Sequence, residues 1–218
     1  MNYLYIFLLA ILSYVLGSFP SGYVLAKHIK KVDITTYGSK HTGATNTTRV
    51  LGIGYGLLAL LIDALKGIVL LIVLVSFKLE HLYIINGVNI LLLYGLISAL
   101  GHVFSIFLKF KGGKAVATSF GILSFTAVYL GRWELVVVTL LIFVLVTIIT
   151  KYISLSSIIG SLSAVITALI FYLIDQSVPL EFLLGIAILC LIIIIKHKEN
   201  IVRLLNGNEN KFSIQNKK

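Results

Sequence analysis

The chain has 218 residues, of which 59% are hydrophobic and only 12% charged, and its mean hydropathy is +1.05. A soluble domain of this length needs far more polar surface, so the composition excludes a soluble globular protein and predicts an integral membrane protein. The net charge of +10 is carried by short connections and a tail, which excludes the broad soluble basic surface of a nucleic-acid-binding protein.

Seven apolar segments follow one another, and we expect an all-α polytopic membrane protein with seven transmembrane helices. Most segments reach the length of about 17–25 residues that a helix needs to cross a bilayer. The fifth is short and needs Arg132 and Trp133 at the membrane interface. We expect one domain over 1–206 and a mobile basic tail over 207–218. The segments are 3–26, 51–77, 82–108, 115–131, 135–149, 154–174 and 180–195.

The basic residues are distributed unevenly between the two sides that seven crossings define. Fifteen Lys and Arg residues fall on the side of the C-terminus, and two, Lys78 and Arg132, fall on the other side. Because cytoplasmic connections of membrane proteins are enriched in Lys and Arg, this bias predicts an outside N-terminus and a cytoplasmic C-terminus.

Three short polar stretches interrupt the apolar sequence: residues 38–46 followed by Arg49, residues 110–114, and residues 197–200. With seven crossings, all three lie on the cytoplasmic face. Glycines allow backbone amides to approach an anion, and Arg, Lys and hydroxyl groups add donors. The three stretches together therefore predict a phosphate-binding site at the membrane surface.

Each glycine-rich stretch also has a simpler interpretation. Residues 38–46 fit an ordinary capping loop before a helix, with Arg49 at the lipid headgroups. The second stretch, with Lys109, Lys111 and Lys114 around Gly112 and Gly113, fits a basic cluster that flanks a membrane segment. Neither stretch is a Walker A loop, because each has an alanine where that motif requires a different residue, so nucleotide hydrolysis is unsupported.

Several titratable residues outside these stretches have structural and functional interpretations. His102 either orients the loop that follows it or packs between helices, and we expect packing. Asp63 and Lys66 are three residues apart and can pair on one helix face, where we expect a structural pair. His28 and Asp33 have the H-x-x-x-x-D spacing found in acyl-CoA-using glycerolipid acyltransferases, where the pair is a base with its orienting acid, but the residues between them resemble a membrane exit.

The ordered set of motifs resembles the bacterial acyl-phosphate-dependent glycerol-3-phosphate acyltransferase family. Each motif alone is weak, whereas the set runs through nearly the whole chain in the family's order and is highly specific. The motifs are GSFPSGY at 17–23, GATN at 43–46 with Arg49, DALKG at 63–67, GH at 101–102, FKGGK at 110–114 with Ala117 and Thr118, SL at 154–155, and His197 with Asn200, Arg203 and Leu204.

The resemblance implies transfer of a fatty acyl group from acyl phosphate to the 1-hydroxyl of glycerol 3-phosphate, giving lysophosphatidic acid and inorganic phosphate. It implies the first acylation step of phospholipid biosynthesis in the bacterial cell membrane. Matching the family's motifs residue by residue makes the expected catalytic residues Ser39, Arg49, Lys114, Ser154, His197 and Asn200. The expected substrate-phosphate-binding residues are Gly43, Thr45, Asn46, Gly112 and Gly113.

The chain departs from the family's pattern in both glycine-rich loops. Lys40 and His41 follow Ser39 where the family usually has Gly and Asn, and Ala115 follows Lys114 where glycine is common. A lysine disfavours positive φ, so the backbone around Ser39 is the least certain part of the comparison.

An acyl phosphate is a mixed anhydride with a good leaving group, so no covalent Ser or Cys intermediate is required. In the family, the donor's own phosphate is thought to take the hydroxyl proton, and His197 as a general base is the alternative. We expect acyl phosphate, glycerol 3-phosphate and the lipid bilayer as partners, no cofactor, no metal, no nucleic acid, and a monomer.

Two other functions fit less well. An anion transporter usually shows broken helices or paired repeats, and the outer connections contain no polar match to the inner loops. A CDP-alcohol phosphotransferase needs an aspartate cluster that binds a metal, whereas the inner face has only Asp33, Glu199 and Glu209 as acidic residues.

Overall fold

The structure is a computed structural model, and it describes residues 3–212. This part of the chain is mainly helical, with a short antiparallel hairpin of β1 (Ile84–Ile85) and β2 (Val88–Asn89). The helices are α1 (Tyr3–Ser18), α2 (Ser21–Ile29), α3 (Ala44–Leu51), α4 (Ile53–Ser76), α5 (Leu91–Val103), α6 (Val116–Leu130), α7 (Glu134–Thr150), α8 (Ile153–Ile174), α9 (Leu180–Lys196) and α10 (Lys198–Leu205).

Several of these helices have the length and composition of membrane spans. Three segments within residues 3–212 qualify alone, namely α4, α8 and Leu91–Leu108. The count rises to five if the bent pairs α1–α2 (41°) and α9–α10 (59°) are each one span, and α6 and α7 are shorter apolar helices. The predicted all-helical membrane class agrees with this architecture, and the number seven stays a prediction.

Two predicted apolar segments are not single helices. The first was expected to be continuous over 3–26, but it breaks between α1 and α2, where Pro20 has no N–H to donate to the preceding turn. The third was expected over 82–108, but α5 begins only at Leu91. Asn86 and Gly87, at φ values of 51° and 82°, form the turn of the β1–β2 hairpin. An Asn-Gly pair is the usual sequence of such a turn.

The described chain divides into two compact units, one ending at Ile122 and the other beginning at Leu123. In the first unit, α1 and α5 cross at close range. A Cβ atom on Gly17 would lie 2.0 Å from the Ser98 carbonyl oxygen, and one on Gly101 would lie 2.3 Å from that of Tyr14. Glycine at both positions lets the two backbones touch, as small residues do in membrane helix pairs.

The second unit is built from α7, α8 and α9, with α8 packing against both neighbours. Small and polar residues line these contacts: the Thr147 hydroxyl donates to Ser156 Oγ at 2.7 Å, and Cys190 Sγ lies 3.4 Å from Ser161 Oγ. Near the opposite ends of the helices, Arg132 forms an ion pair with Asp175. Hydrogen bonds and an ion pair therefore supplement van der Waals packing in this unit.

Two of the residues that depart from the family's glycines have left-handed backbone conformations. Lys40 has a φ of 59° and Ala115 a φ of 60°, and Ala115 is fully buried immediately before α6. The left-handed region costs a residue with a Cβ atom about 1–2 kcal/mol, whereas glycine adopts it freely. The folded loops thus keep a glycine-like backbone without glycine.

We expect Ala115→Gly to leave the free energy of unfolding unchanged or to raise it by up to about 1 kcal/mol. Relief of the left-handed conformation is partly offset by the greater entropy of glycine in the unfolded chain. Thermal unfolding of the detergent-solubilised protein measures the effect.

The matched control is Ala117→Gly, within the right-handed helix α6, which should lose about 0.5–1 kcal/mol. Equal destabilisation by the two substitutions would contradict the argument.

Candidate active site

The side chain of Asn46 organises the loop before α3. It is 1% exposed, its Oδ1 accepts the Ser39 N–H at 2.9 Å, and its Nδ2 donates to the carbonyls of Tyr37 and His41 at 3.0 and 2.9 Å. Asn46 was expected to bind substrate phosphate. The structure instead places its amide in contact with the loop backbone, where it fixes the position of Ser39.

The N-terminus of α3 follows this loop, and Gly43 precedes its first turn. A Cβ atom on Gly43 would meet nothing within 4 Å, so the space in front of this turn is open. The first N–H groups of a helix have no partner inside the helix and favour an anion. Gly43 and Thr45, expected to bind phosphate, therefore lie where a phosphate oxygen can approach backbone donors.

Arg49 lies one to two turns further along α3 and lines a surface pocket of about 340 Å³. Lys30, at the end of α2, lines the same pocket, and its Nζ donates to the Val50 carbonyl at 2.6 Å. Gly38 also lines the pocket. Its backbone packs closely against Asn46, since a Cβ atom on Gly38 would lie 2.2 Å from Asn46 Oδ1. Two cations beside one pocket suit a doubly charged phosphate. From the sequence, Lys30 is only one of the fifteen basic residues whose distribution predicts the orientation in the membrane.

Backbone hydrogen bonds to the end of α5 hold the second glycine-rich loop. Gly112 N–H donates to the Val103 carbonyl at 3.0 Å, and Gly113 N–H donates to the His102 carbonyl at 3.1 Å. A Cβ atom on Gly112 would lie 1.9 Å from the latter oxygen. Both amides thus have partners in the protein. Close backbone approach explains the glycines here, and Lys114, half-buried before α6, brings the positive charge.

In the second unit, three donors converge on the carboxylate of Glu209. Oε1 accepts from Ser154 Oγ at 2.9 Å and from Asn200 Nδ2 at 2.7 Å, while Oε2 accepts from Arg203 Nε at 2.7 Å. Ser154 and Asn200 are two of the expected catalytic residues. The residue that joins them lies in the tail that was expected to be mobile. Phe212 N–H also donates to the Lys151 carbonyl at 2.7 Å, and residues 213–218 lie outside the described chain.

The environment of Glu209 favours its charged form. Burial alone would raise the pKa of this carboxyl, but hydrogen bonds from Arg203, Asn200 and Ser154 outweigh burial and hold the pKa below its usual value. The side chain is only 6% exposed. Glu209 is therefore a fixed anion that orients two predicted site residues, a role that spacing along the sequence does not indicate.

His197 is 3% exposed at the junction of α9 and α10, and its Nδ1 lies 2.8 Å from the Ile193 carbonyl oxygen. A carbonyl can only accept, so Nδ1 carries the proton of this hydrogen bond. In the neutral ring, the lone pair is then on Nε2, which can accept a proton. In the charged ring, Nε2 is a donor that suits a phosphate oxygen. The geometry thus suits two roles: the charged ring can bind phosphate, and the neutral ring can accept a proton.

The predicted residues consequently fall into separate sets of contacts. Ser39, Asn46 and Arg49 belong to the loop and helix around the pocket, and Lys114 follows the second glycine-rich loop, all within the first unit. The second unit joins Ser154 to Asn200 through Glu209.

We expect Glu209→Gln to lower the free energy of unfolding by about 1–3 kcal/mol. The amide NH2 of glutamine cannot accept a hydrogen bond, so at least one of the donors Ser154, Asn200 and Arg203 would lose its acceptor oxygen. The folded-state pKa is lowered, so the stabilisation by the Glu209 carboxylate is present above the unfolded pKa. It is lost as the pH falls through the folded pKa.

Chemical unfolding at several pH values compares the variant with the wild type. The difference in stability should be full near neutral pH and should shrink in acid. Glu199→Gln, in the same helical region but exposed, is the control. A pH-independent difference for Glu209→Gln would contradict the proposed role of its charge.

The comparisons with known proteins agree across nearly the whole chain. The family model described as glycerol-3-phosphate acyltransferase matches residues 7–207. A glycerol-3-phosphate acyltransferase of Finegoldia magna is 40% identical over 211 residues, which cover 97% of this chain and 98% of the relative. One of Fusobacterium nucleatum is 40% identical over 206 residues, covering 94% and 97%.

Two crystal structures of PlsY (YgiH), an integral membrane glycerol 3-phosphate acyltransferase, share the fold. The glycerol 3-phosphate form is 35% identical with a TM-score of 0.80, covering 95% of this chain and 96% of that one. The lysophosphatidic acid form is 36% identical with a TM-score of 0.77, covering 96% of each chain. Together with the matched family model, these similarities show that the chain belongs to the glycerol-3-phosphate acyltransferase family, the integral membrane acyltransferases of phospholipid biosynthesis.

Proposed function

We propose that this protein transfers a fatty acyl group from acyl phosphate to the 1-hydroxyl of glycerol 3-phosphate, forming lysophosphatidic acid and inorganic phosphate. The observation that carries the proposal is the pocket beside the Asn46-organised loop, lined by Arg49 and Lys30. Its two cations suit a dianionic phosphate on a small substrate. Membership of the family supports glycerol 3-phosphate as that substrate.

The reaction requires little covalent chemistry from the protein. The hydroxyl oxygen attacks the acyl carbon, the bond from that carbon to the phosphate oxygen breaks, and the departing phosphate takes the hydroxyl proton. The protein holds both substrates in line and stabilises their negative charge. Arg49, Lys30 and Lys114 supply charge, whereas Asn46 shapes the loop before α3, and Gly112 and Gly113 shape the loop before Lys114.

Ser39, Ser154, His197 and Asn200 supply hydrogen bonds in the proposed reaction. The side chains of Ser39, His197 and Asn200 can donate to phosphate oxygens or to the oxygen that gains charge as the acyl carbon becomes tetrahedral. The single hydroxyl proton of Ser154 goes to Glu209, so Ser154 donates to a phosphate only by exchanging this partner. Ser154 and Asn200 are already oriented by Glu209. Such preorganisation lowers the cost of arranging donors during the reaction.

We further propose seven membrane crossings, formed by the bent pair α1–α2 and by α4, α5, α6, α7, α8 and α9, with α10 at the cytoplasmic face. The excess of Lys and Arg on the C-terminal side supports a cytoplasmic C-terminus and cytoplasmic catalytic loops. In this arrangement the protein is a multi-pass enzyme of the bacterial cell membrane, acting as a monomer.

The donor is tested by supplying purified protein with glycerol 3-phosphate and either acyl phosphate or acyl-CoA of the same chain length. We expect lysophosphatidic acid and inorganic phosphate from acyl phosphate. Equal or greater turnover with acyl-CoA would overturn the proposed donor without affecting family membership.

In the same assay, Arg49→Ala and Lys114→Ala should each lower activity at subsaturating substrate by roughly 10- to 150-fold, since a charge-assisted contact contributes about 1.5–3 kcal/mol. Lys31→Ala, an exposed lysine beside the pocket residue Lys30, is the matched control and should retain activity. Wild-type activity of both alanine variants would refute the proposed phosphate site.

The role of His197 is tested by His197→Gln. If His197 binds phosphate, the variant should raise KM for glycerol 3-phosphate and leave the shape of the pH–rate profile unchanged, because the donor phosphate takes the proton. We expect this result. If His197 is the base, kcat should instead fall by roughly 10²–10⁴-fold and an acid limb should disappear. Steady-state kinetics over a range of pH distinguish the two outcomes.

A further inference from the structure

The first unit contains a buried polar cluster that the proposed reaction does not use. Asp63 Oδ1, on α4, accepts from Lys66 Nζ at 2.8 Å and from Ser21 Oγ at 2.7 Å, and His102 Nδ1, on α5, lies 3.6 Å away. Asp63 is 2% exposed, Lys66 9% and His102 6%. Charged groups inside a membrane protein are costly, so such a cluster is more expensive than apolar packing would be.

The cluster connects α4 and α5 with α2, which carries Ser21, and with the break between α1 and α2. Lys66 Nζ also donates to the Phe19 carbonyl at 2.7 Å, where α1 ends, and Ser98 Oγ on α5 donates to the Lys66 carbonyl at 3.0 Å. Asp63 and Lys66 therefore already have several partners without His102. The imidazole is not needed to neutralise the carboxylate, which leaves its position beside the pair to be explained.

The opposite edge of the His102 ring touches the second glycine-rich loop. A Cβ atom on Gly113 would lie 2.2 Å from His102 Nε2. The His102 carbonyl also accepts the Gly113 N–H. The ring thus forms the surface on which Gly113 rests, with Asp63 at its other nitrogen. Lys114 is the next residue along the chain, so the position of the His102 ring determines the position of the Lys114 backbone.

We propose that His102, oriented by Asp63, is a positioning residue for Lys114. The inference rests on the proposed function of Lys114 in binding a substrate phosphate. His102 fixes the Gly113 backbone relative to the three-helix junction around Asp63, and this contact holds the lysine that follows. A displacement of about 1 Å in a catalytic group can lower a rate by as much as about 10²-fold, which gives the contact its functional weight.

Two substitutions of His102 separate positioning from packing. The amide nitrogen of glutamine can take the place of Nε2, next to Gly113, whereas that of asparagine takes the place of Nδ1, next to Asp63. We expect His102→Asn to lower kcat/KM about tenfold because it leaves a gap under the loop. His102→Gln should stay within roughly threefold of the wild type.

Coupling to Lys114 provides the second measurement. Lys114→Arg keeps the charge and should leave measurable activity. In that background the Asn and Gln variants should become nearly equal, because the lysine that depends on Gly113 is already replaced. Tyr94→Phe is the matched control on α5: it removes a buried hydroxyl that donates to the Leu82 carbonyl at 2.8 Å. Its effect on stability should resemble that of His102→Asn, without the loss in kcat/KM.

Equal kcat/KM values for His102→Asn and His102→Gln would overturn the proposal. It would also be overturned if each substitution lowered kcat/KM by the same factor in the Lys114→Arg protein as in the wild type. An Asn protein that cannot be recovered folded while Tyr94→Phe can would show a purely structural role and would also overturn it. Failure of the proposed function looks different: Lys114→Arg and Lys114→Ala would then leave activity unchanged, whatever the residue at position 102.

Discussion

The hydrogen bonds of the Asn46 side chain are the interaction on which the arrangement of the pocket depends. The segment between α2 and α3 is mostly irregular, so its buried backbone groups need partners outside a helix or sheet. A single amide provides both an acceptor, for Ser39, and donors, for the carbonyls of Tyr37 and His41. These hydrogen bonds close the loop before any substrate arrives, so Gly38 and Ser39 have fixed positions along it.

Internal hydrogen bonds also hold the other polar segments. The amides of Gly112 and Gly113 are bonded to the end of α5, and the Glu209 carboxylate gathers Ser154, Asn200 and Arg203. In the two glycine-rich segments, uncharged groups satisfy one another and hold the framework close to Arg49 and Lys114, whereas in the third segment Arg203 itself pairs with the Glu209 carboxylate. Fixed donors that do not reorganise during the reaction are the main source of electrostatic catalysis.

Local patterns predicted the helical membrane class and the extents of α4 and α6–α9 to within about two residues, because continuous apolar runs of span length have few alternatives in a bilayer. The break at Pro20 and the hairpin turn at Asn86–Gly87 were visible as residue types but were hidden inside apolar runs. Lys30 and Glu209 were missed for another reason. Their roles come from contacts between residues distant in sequence, and a lysine near a membrane exit or a glutamate in a basic tail has no distinctive local pattern.

The chemistry proposed for this chain makes charge the decisive requirement. Two unit charges about 6 Å apart at an effective dielectric constant of about 20 repel by roughly 3 kcal/mol, so two dianionic phosphates repel by roughly 11 kcal/mol. A site that brings both phosphates to one acyl carbon must offset most of that repulsion before it can align the hydroxyl. In the proposed site, Arg49 and Lys30 beside one pocket, and Lys114 after the second loop, would provide this compensation. A covalent acyl-enzyme would let the first phosphate leave before the second substrate binds, whereas direct transfer requires both phosphates to be bound together. Several cations close to the glycine-rich loops are therefore what the proposed direct transfer requires.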